Sequence, residues 1–157
     1  MKPMERAYLE RNDRSLRRLG RVMDELGDDH GTEGTDGRWT RAVLLAHMAF
    51  WDRFVQERWE HARRARRLTP ISLDLSLADL VNDASVPGWS LIPPHDAARM
   101  ALAAADEVNS TIAALSDDAA GVVIATGWDS LLDRSIHRDE HLAALERLVS
   151  SRTGMTT

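Results

Sequence analysis

Hydrophobic residues recur at helical spacing along most of the chain and predict four long helices. Between Met4 and about Leu26, apolar residues that include Leu16, Leu19, Val22, Met23 and Leu26 fall three and four positions apart, with charged residues between them. A second stripe begins after Thr40, a residue type suited to cap a helix, and continues to about Arg67. A third stripe, rich in the strong helix former alanine, extends from about His95 or Asp96 to Leu115.

The fourth predicted helix begins after a pair of residues whose spacing is typical of an N-terminal capping motif. Thr126 and Asp129 form this T-x-x-D pattern, and the apolar spacing that follows continues to about Ser150. Only the run from Ala119 to Ala125 would also suit a strand. Without a hairpin pattern or an internal repeat, we predict an all-α fold, a four-helix bundle that forms one domain over residues 1–157.

Two connections between these helices have different predicted structures. The stretch from Gly27 to Arg38 is rich in glycine and acidic residues, and we predict a flexible polar loop without a regular element. The segment from Ile71 to Pro94 is far longer than the roughly 2 to 8 residues usual between bundle helices, which predicts a crossover or the wall of a site. Within it, Ser76 can cap one or two helical turns that reach Ala84, and an irregular stretch follows.

Composition narrows the chemistry. The chain has 157 residues, a net charge of -5 and no cysteine, so a transition metal must be held by His, Asp or Glu. The acidic charge argues against a nucleic-acid partner. No apolar stretch approaches the roughly 18 residues that span a bilayer, and the charged start from Met1 to Arg11 does not resemble a signal peptide. We therefore expect a cytoplasmic protein without a membrane or nucleic-acid partner.

Three of the six histidines are candidate metal ligands. His137 and His141 are four residues apart, so they lie on one face of the fourth predicted helix and could hold a metal together. His47 lies within the apolar stripe of the second helix, where it needs a polar partner such as a hydroxyl, a carbonyl, a water or a metal. In a bundle, these two helices can direct all three imidazoles to one point.

A site of three neutral histidines leaves coordination positions open, as a catalytic metal requires. Zinc is the first expectation, with nickel, iron, manganese and copper as alternatives. Asp52, Asp139 and Glu140 lie near the candidate ligands in sequence and could orient an imidazole N–H or act as a base. Helical geometry favours a surface position instead for Asp139 and Glu140. Trp89, in the long connection, could line a pocket mouth or form a dimer contact. No catalytic or cofactor-binding residue beyond the metal ligands is assigned.

Two stretches of the sequence carry a family resemblance. WTRAVLLAHMAFW (39–51), followed about 90 residues later by HRDEHLAAL (137–145), resembles the DinB-like superfamily, which includes the N-terminal domains of mycothiol-dependent maleylpyruvate isomerases. By helix count and spacing the resemblance covers nearly the whole chain. It implies a bundle of up-down-down-up topology with metal ligands at His47, His137 and His141. The chain departs from a frequent family pattern at Ala144, where a glutamine is common.

The resemblance also implies an activity. Family members of understood function are mostly metal-dependent transferases or isomerases that use a small thiol such as mycothiol or bacillithiol. It therefore implies a metal-dependent thiol S-transferase or isomerase that acts on a small electrophile. The alternatives are a non-enzymatic or ligand-binding bundle and a hydrolase that uses metal-bound water. The expected partners are a small-molecule substrate and a second copy of the chain in a homodimer.

Overall fold

The computed structural model describes residues 6–27, 34–35, 38–69 and 74–154. Helices dominate these residues, which confirms the all-α class. None of the described helices is long and apolar enough to cross a membrane. The elements are α1 (Ala7–Leu26), β1 (Gly34–Thr35), β2 (Trp39–Thr40), α2 (Arg41–Ala65), α3 (Leu75–Trp89), α4 (Pro94–Ala113), α5 (Asp117–Thr126), a 3₁₀ turn (Asp129–Leu131) and α6 (Ser135–Thr153).

Four long helices, α1, α2, α4 and α6, surround the largest hydrophobic cluster. The most extensive packing joins α2 to α4, and α1 packs against both α6 and α4. Alanines on α4, among them Ala97, Ala101 and Ala105, are buried and have short side chains that allow its neighbours to approach closely. These helices correspond to the four predicted from sequence, and their up-down-down-up order stays a prediction.

Helix α2 has the start that the sequence predicts. The Thr40 hydroxyl accepts a hydrogen bond from the Val43 amide at 3.2 Å, which satisfies one of the free N–H groups of the first turn. Every residue from Arg41 to Ala49 is buried, because α4, α3, α6 and the two short strands all contact this helix. His47 therefore lies in the interior, as predicted.

The predicted loop from Gly27 to Arg38 contains a regular element, so that prediction is wrong in this respect. β1 pairs antiparallel with β2, and Thr35 stands opposite Trp39. The Thr35 side chain is buried, and its hydroxyl donates to the Trp39 carbonyl at 2.9 Å. Contacts of β1 with α2 and α6 explain why so polar a segment forms a strand pair here. The predicted start of the first helix at Met4 lies outside the described residues.

The connection between α2 and α4 is more helical than predicted. Asp74, not Ser76, caps α3, because its carboxylate accepts from the Leu77 amide at 2.8 Å. The helix also continues past Ala84 and includes Pro87 in its last turns. Burial of Trp89 against α2 stabilises these turns and replaces the irregular stretch expected there. The long connection therefore forms a helical wall against α2.

The predicted start of the last helix is also wrong. Ser116 caps a separate helix, α5, by accepting from the Ala119 amide at 3.2 Å, and this helix ends at Thr126. Thr126 does not cap a following helix, since its hydroxyl donates back to the Val123 carbonyl at 2.8 Å. Gly127 then adopts a left-handed conformation with φ 71°, which a residue without Cβ adopts readily.

Candidate metal centre

The three predicted histidines meet at one point. The Nε2 atom of His47 lies 3.0 Å from the Nε2 atoms of both His137 and His141, and those two atoms are 3.2 Å apart. His47 is 4% exposed, and the other two side chains are half-buried. The structure therefore confirms that α2 and α6 bring these imidazoles together, and the group could hold a metal ion.

Hydrogen bonds among the three imidazoles cannot satisfy all three contacts. A neutral imidazole has one N–H and one bare nitrogen, so each Nε2 acts either as a donor or as an acceptor. Among three mutual neighbours, at least two must then be of the same kind. A tetrahedral ion with Zn–N bonds of about 2.0–2.1 Å places ligand nitrogens roughly 3.3 Å apart, close to the observed spacing. The donor set therefore fits a divalent metal.

The environment keeps these imidazoles neutral. Burial, and secondarily the charge of His141, lowers the pKa of His47 to about 3. Burial and the neighbouring Arg134 guanidinium hold the pKa of His137 well below its usual range. Burial also lowers the pKa of His141, while Glu140 opposes the shift. All three side chains are thus unprotonated near pH 7, the state that metal ligation requires.

We predict that the metal-free protein loses stability as the pH falls from 6.5 to 5. In this range the unfolded chain protonates His47 and the folded chain does not, so the free energy of unfolding decreases for this residue, by about 0.7 kcal/mol per pH unit at pH 6.5 and by about 1.4 near pH 5. Urea denaturation of chelator-treated protein across this range measures the slope. His47→Gln should reduce the slope, whereas His61→Gln, at an exposed position on the same helix, should not. Equal slopes in all three proteins would contradict the prediction.

A side chain of α1 fixes the start of the helix that carries two of the histidines. The Asn12 carbonyl oxygen accepts from the backbone N–H groups of Arg134, at 2.7 Å, and Ser135, at 3.2 Å. Its amide donates to the Leu132 carbonyl at 2.7 Å. Asn12 is 1% exposed, so these bonds are shielded from water. By capping α6 from a neighbouring helix, Asn12 helps to set the rotation that directs His137 and His141 inward.

A buried ionic network lies beside the histidines. Each oxygen of Asp52 accepts from one arginine at 2.8 Å, Oδ1 from Arg134 Nε and Oδ2 from Arg138 Nε. Arg138, which is fully buried, also donates to Asn109 Oδ1 at 3.0 Å and to Ser15 Oγ at 3.1 Å. These residues belong to α1, α2, α4 and α6, so one carboxylate and two guanidinium groups connect all four long helices.

Sequence reasoning missed this network. Arg134 and Arg138 appear in the sequence as interruptions of an apolar stripe, and Asp52 appears as a neighbour of a candidate ligand. In the structure Asp52 bonds to these arginines and, among the described residues, to no imidazole. The sequence did carry a signal of this network: one acidic residue lies on the apolar face of the second predicted helix, and two arginines interrupt the apolar face of the fourth. Buried charges need partners, so these residues could have been expected to pair.

A cavity of about 740 Å³ opens beside the histidines. Trp39 and Trp51 line it, with ring centroids 4.7 and 6.5 Å from that of His47. The Trp51 indole N–H donates to Asn82 Oδ1 on α3 at 2.9 Å, which fixes this wall. Trp89 lies at 5.6 Å from His47, but it is 8% exposed and packs against α2. Trp89 is therefore neither at the mouth of this cavity nor available as a dimer contact.

The acidic residues between the two α6 histidines are exposed, as predicted. Asp139 accepts a hydrogen bond from Arg18 at 3.0 Å, and Glu140 lines the cavity. Ala144, at the position where the resembled family often has glutamine, also lines the cavity. Its short side chain leaves space next to His141.

Comparisons of this chain with protein-family models, with curated proteins and with solved structures find no match. Membership of the DinB-like superfamily therefore stays a prediction from the two sequence stretches. The site itself is what indicates a function. Its central feature is the convergence of His47, His137 and His141 at the edge of a cavity.

Proposed function

We propose that this chain is a metal-dependent enzyme of the DinB-like type, with a divalent metal held by His47, His137 and His141. The observation that carries the proposal is the convergence of three neutral Nε2 atoms at spacings of 3.0 to 3.2 Å beside an open cavity. Zinc is the expected metal, with nickel, iron and manganese as alternatives. The proposed reaction is thiol S-transfer to a small electrophile, or an isomerisation, with a thiol of the mycothiol or bacillithiol type.

A divalent metal with three protein ligands supplies a Lewis acid with an open position, which lowers the pKa of a coordinated thiol or water. The residues of the chain do the remaining work. Buried, neutral imidazoles keep their lone pairs available, and Trp39 and Trp51 place aromatic surface beside them. The cavity volume of about 740 Å³ falls within the range of roughly 300–1,000 Å³ typical of small-molecule sites.

Elemental analysis by mass spectrometry tests the proposal on protein purified without a polyhistidine tag. We expect about one equivalent of zinc, nickel, iron or manganese per chain, since the structure offers one three-histidine group among its described residues. Protein that is metal-free, and that also fails to take up these metals when they are added, would contradict the proposal.

Thiol chemistry is tested separately with probe substrates. Metal-loaded protein should accelerate the conjugation of N-acetylcysteine to 1-chloro-2,4-dinitrobenzene, and chelator-treated protein should not. Metal-loaded protein that leaves this rate unchanged, and also fails with other thiols and electrophiles, would contradict the thiol part of the proposal. Ester hydrolysis by the same loaded protein would then favour the hydrolase.

A second candidate function is a non-enzymatic dimeric bundle. Exposed leucines favour it, since Leu75 is 86% exposed, Leu80 is 64% exposed and Leu91 is 84% exposed. Light scattering coupled to size exclusion gives the mass in solution. A dimer that binds no metal would favour this function over the metal-dependent enzyme.

A further inference from the structure

Arg134 lies where the histidine cavity adjoins a second cavity. The second cavity has a volume of about 440 Å³ and shares Trp51, Ser130 and Arg134 with the first. Phe54 and Trp128 add aromatic surface to it. The two cavities therefore adjoin at these shared residues, and we call them together the groove.

The guanidinium of Arg134 is fixed in place and retains donor capacity. Its Nε donates to Asp52 Oδ1 at 2.8 Å, and its Nη1 donates to the Ser130 carbonyl at 2.8 Å. Its Nη2 has no hydrogen-bond partner within the described part of the chain, although the whole residue is only 3% exposed. Two bonds thus hold the planar group, and because Arg134 lines both cavities, we infer that Nη2 is the nitrogen available to a ligand in the groove.

The charge balance around Arg134 favours an anion. The buried cluster contains two guanidinium groups, of Arg134 and Arg138, but one carboxylate, that of Asp52. The adjacent imidazoles are neutral, so a divalent metal held by them would add to this excess of positive charge. Of the other cations that line the two cavities, Arg38 pairs with Asp83, Arg58 donates to the Thr69 carbonyl and Arg147 is exposed to water. The carboxylates that line them, those of Asp74, Asp79 and Glu140, are all exposed to water. A partly desolvated charge such as that of Arg134 attracts an anion more strongly than an exposed one.

We propose that Arg134 binds the carboxylate of a small ligand whose reactive end reaches His47, His137 and His141. This inference rests on the proposed function, since it identifies the chemistry of the molecule that the site receives. A carboxylate suits the group because it is a planar anion that can accept from the guanidinium nitrogen left without a partner among the described residues. The carboxylate can belong to the thiol or to the electrophile.

Matched pairs of probes distinguish these two sources. In the first arm, calorimetry compares 3-mercaptopropionate with 2-mercaptoethanol on zinc-loaded protein, so that both probes can bind the metal through sulfur. In the second arm, benzoate is compared with benzamide in the presence of saturating 2-mercaptoethanol. A preference for the carboxylate in the first arm assigns it to the thiol, and a preference in the second arm assigns it to the electrophile. Absence of a preference in both arms overturns the inference.

Variants identify the residue responsible for the preference. Arg134→Gln should reduce it by about tenfold to a hundredfold, the range expected for loss of one charge-assisted hydrogen bond. The control is Arg147→Gln, which removes an exposed charge from the same cavity wall and should leave the preference nearly unchanged. An equal reduction in both variants overturns the inference, because it would show a general charge effect.

Arg134→Gln also removes the buried ion pair with Asp52 and can destabilise the fold. A second variant therefore keeps the positive charge at this position. Arg134→Lys keeps the positive charge beside Asp52 but not the planar fork, and it should still reduce the preference by about threefold to tenfold. An unchanged preference in folded Arg134→Lys overturns the inference. Metal content, measured on every sample, separates the two proposals: wild-type protein without metal contradicts the proposed function, whereas loaded protein that shows no carboxylate preference contradicts only the role of Arg134.

Discussion

Replacing His47 or His141 by alanine should reduce the metal content from about one equivalent per chain to nearly none. Each residue supplies one of the three converging Nε2 atoms, and two remaining ligands hold a metal poorly. Loss of an outer hydrogen-bond partner costs about 10–100-fold in metal affinity, so loss of a ligand should cost more than a hundredfold. Elemental analysis after dialysis measures the result.

The tryptophans next to the site provide a second measurement. Trp39 and Trp89 have ring centroids 4.7 and 5.6 Å from that of His47. A paramagnetic ion such as nickel bound there should quench their fluorescence in the wild-type protein and not in His141→Ala. His61→Ala is the matched control, because it removes an exposed histidine from the same helix as His47 and should leave quenching unchanged.

Circular dichroism should show little change in helical content in any of these variants, since the imidazoles contribute no backbone hydrogen bonds. Undiminished metal content in both His47→Ala and His141→Ala would contradict the metal centre. In that case His47 would be a core histidine that needs another polar partner.

Features set by one helix could be predicted from the sequence. His47 lies on the apolar face of α2, and the four-residue spacing of His137 and His141 places them together on α6 whatever the rest of the fold does. Thr40 caps α2 by accepting a hydrogen bond from the amide of Val43, which is only three residues further along the chain. Local spacing therefore predicted the four long helices and placed each candidate ligand on its helix, whereas the meeting of His47 with His137 and His141 depends on how α2 and α6 pack.

Features set by contacts between distant segments could not be predicted in this way. The pattern of Thr126 and Asp129 matches a capping motif, yet α6 begins at Ser135 because Asn12, 123 residues earlier in the chain, binds its first turn. Similarly, the β-branched run within α5 fits a strand or a helix until its burial against the bundle decides. The partners of Asp52 are 82 and 86 residues away, so no local spacing in the sequence indicates that these residues pair.

Replacing Asp52 by asparagine should strongly destabilise the fold. The change leaves Arg134 and Arg138 buried without their counter-charge, and it replaces one of the two accepting oxygens with an NH2 group that can only donate. Breaking a buried ion pair in this way costs about 3–5 kcal/mol, a large part of the roughly 5–15 kcal/mol that stabilises a typical domain. Urea denaturation of the metal-free protein measures the loss.

The control is an exposed ion pair between α2 and α4, the helices that hold Asp52 and Asn109. Arg53 on α2 and Glu107 on α4 are 2.6 Å apart, with about half of each side chain exposed, so Glu107→Gln should cost less than about 1 kcal/mol. Equal losses in Asp52→Asn and Glu107→Gln would show that the buried arginines do not depend on Asp52.

The same substitution should also affect the metal centre. Arg138 follows His137 directly, and the bonds of Arg138 to Asp52, Asn109 and Ser15 fix the rotation of α6 about its axis. A small rotation would move both α6 imidazoles away from His47. Folded Asp52→Asn should therefore bind zinc about 10–100-fold more weakly, as expected for loss of a residue that orients metal ligands, whereas Glu107→Gln should bind it as the wild type does. Unchanged zinc affinity in Asp52→Asn would restrict the network to a role in stability alone.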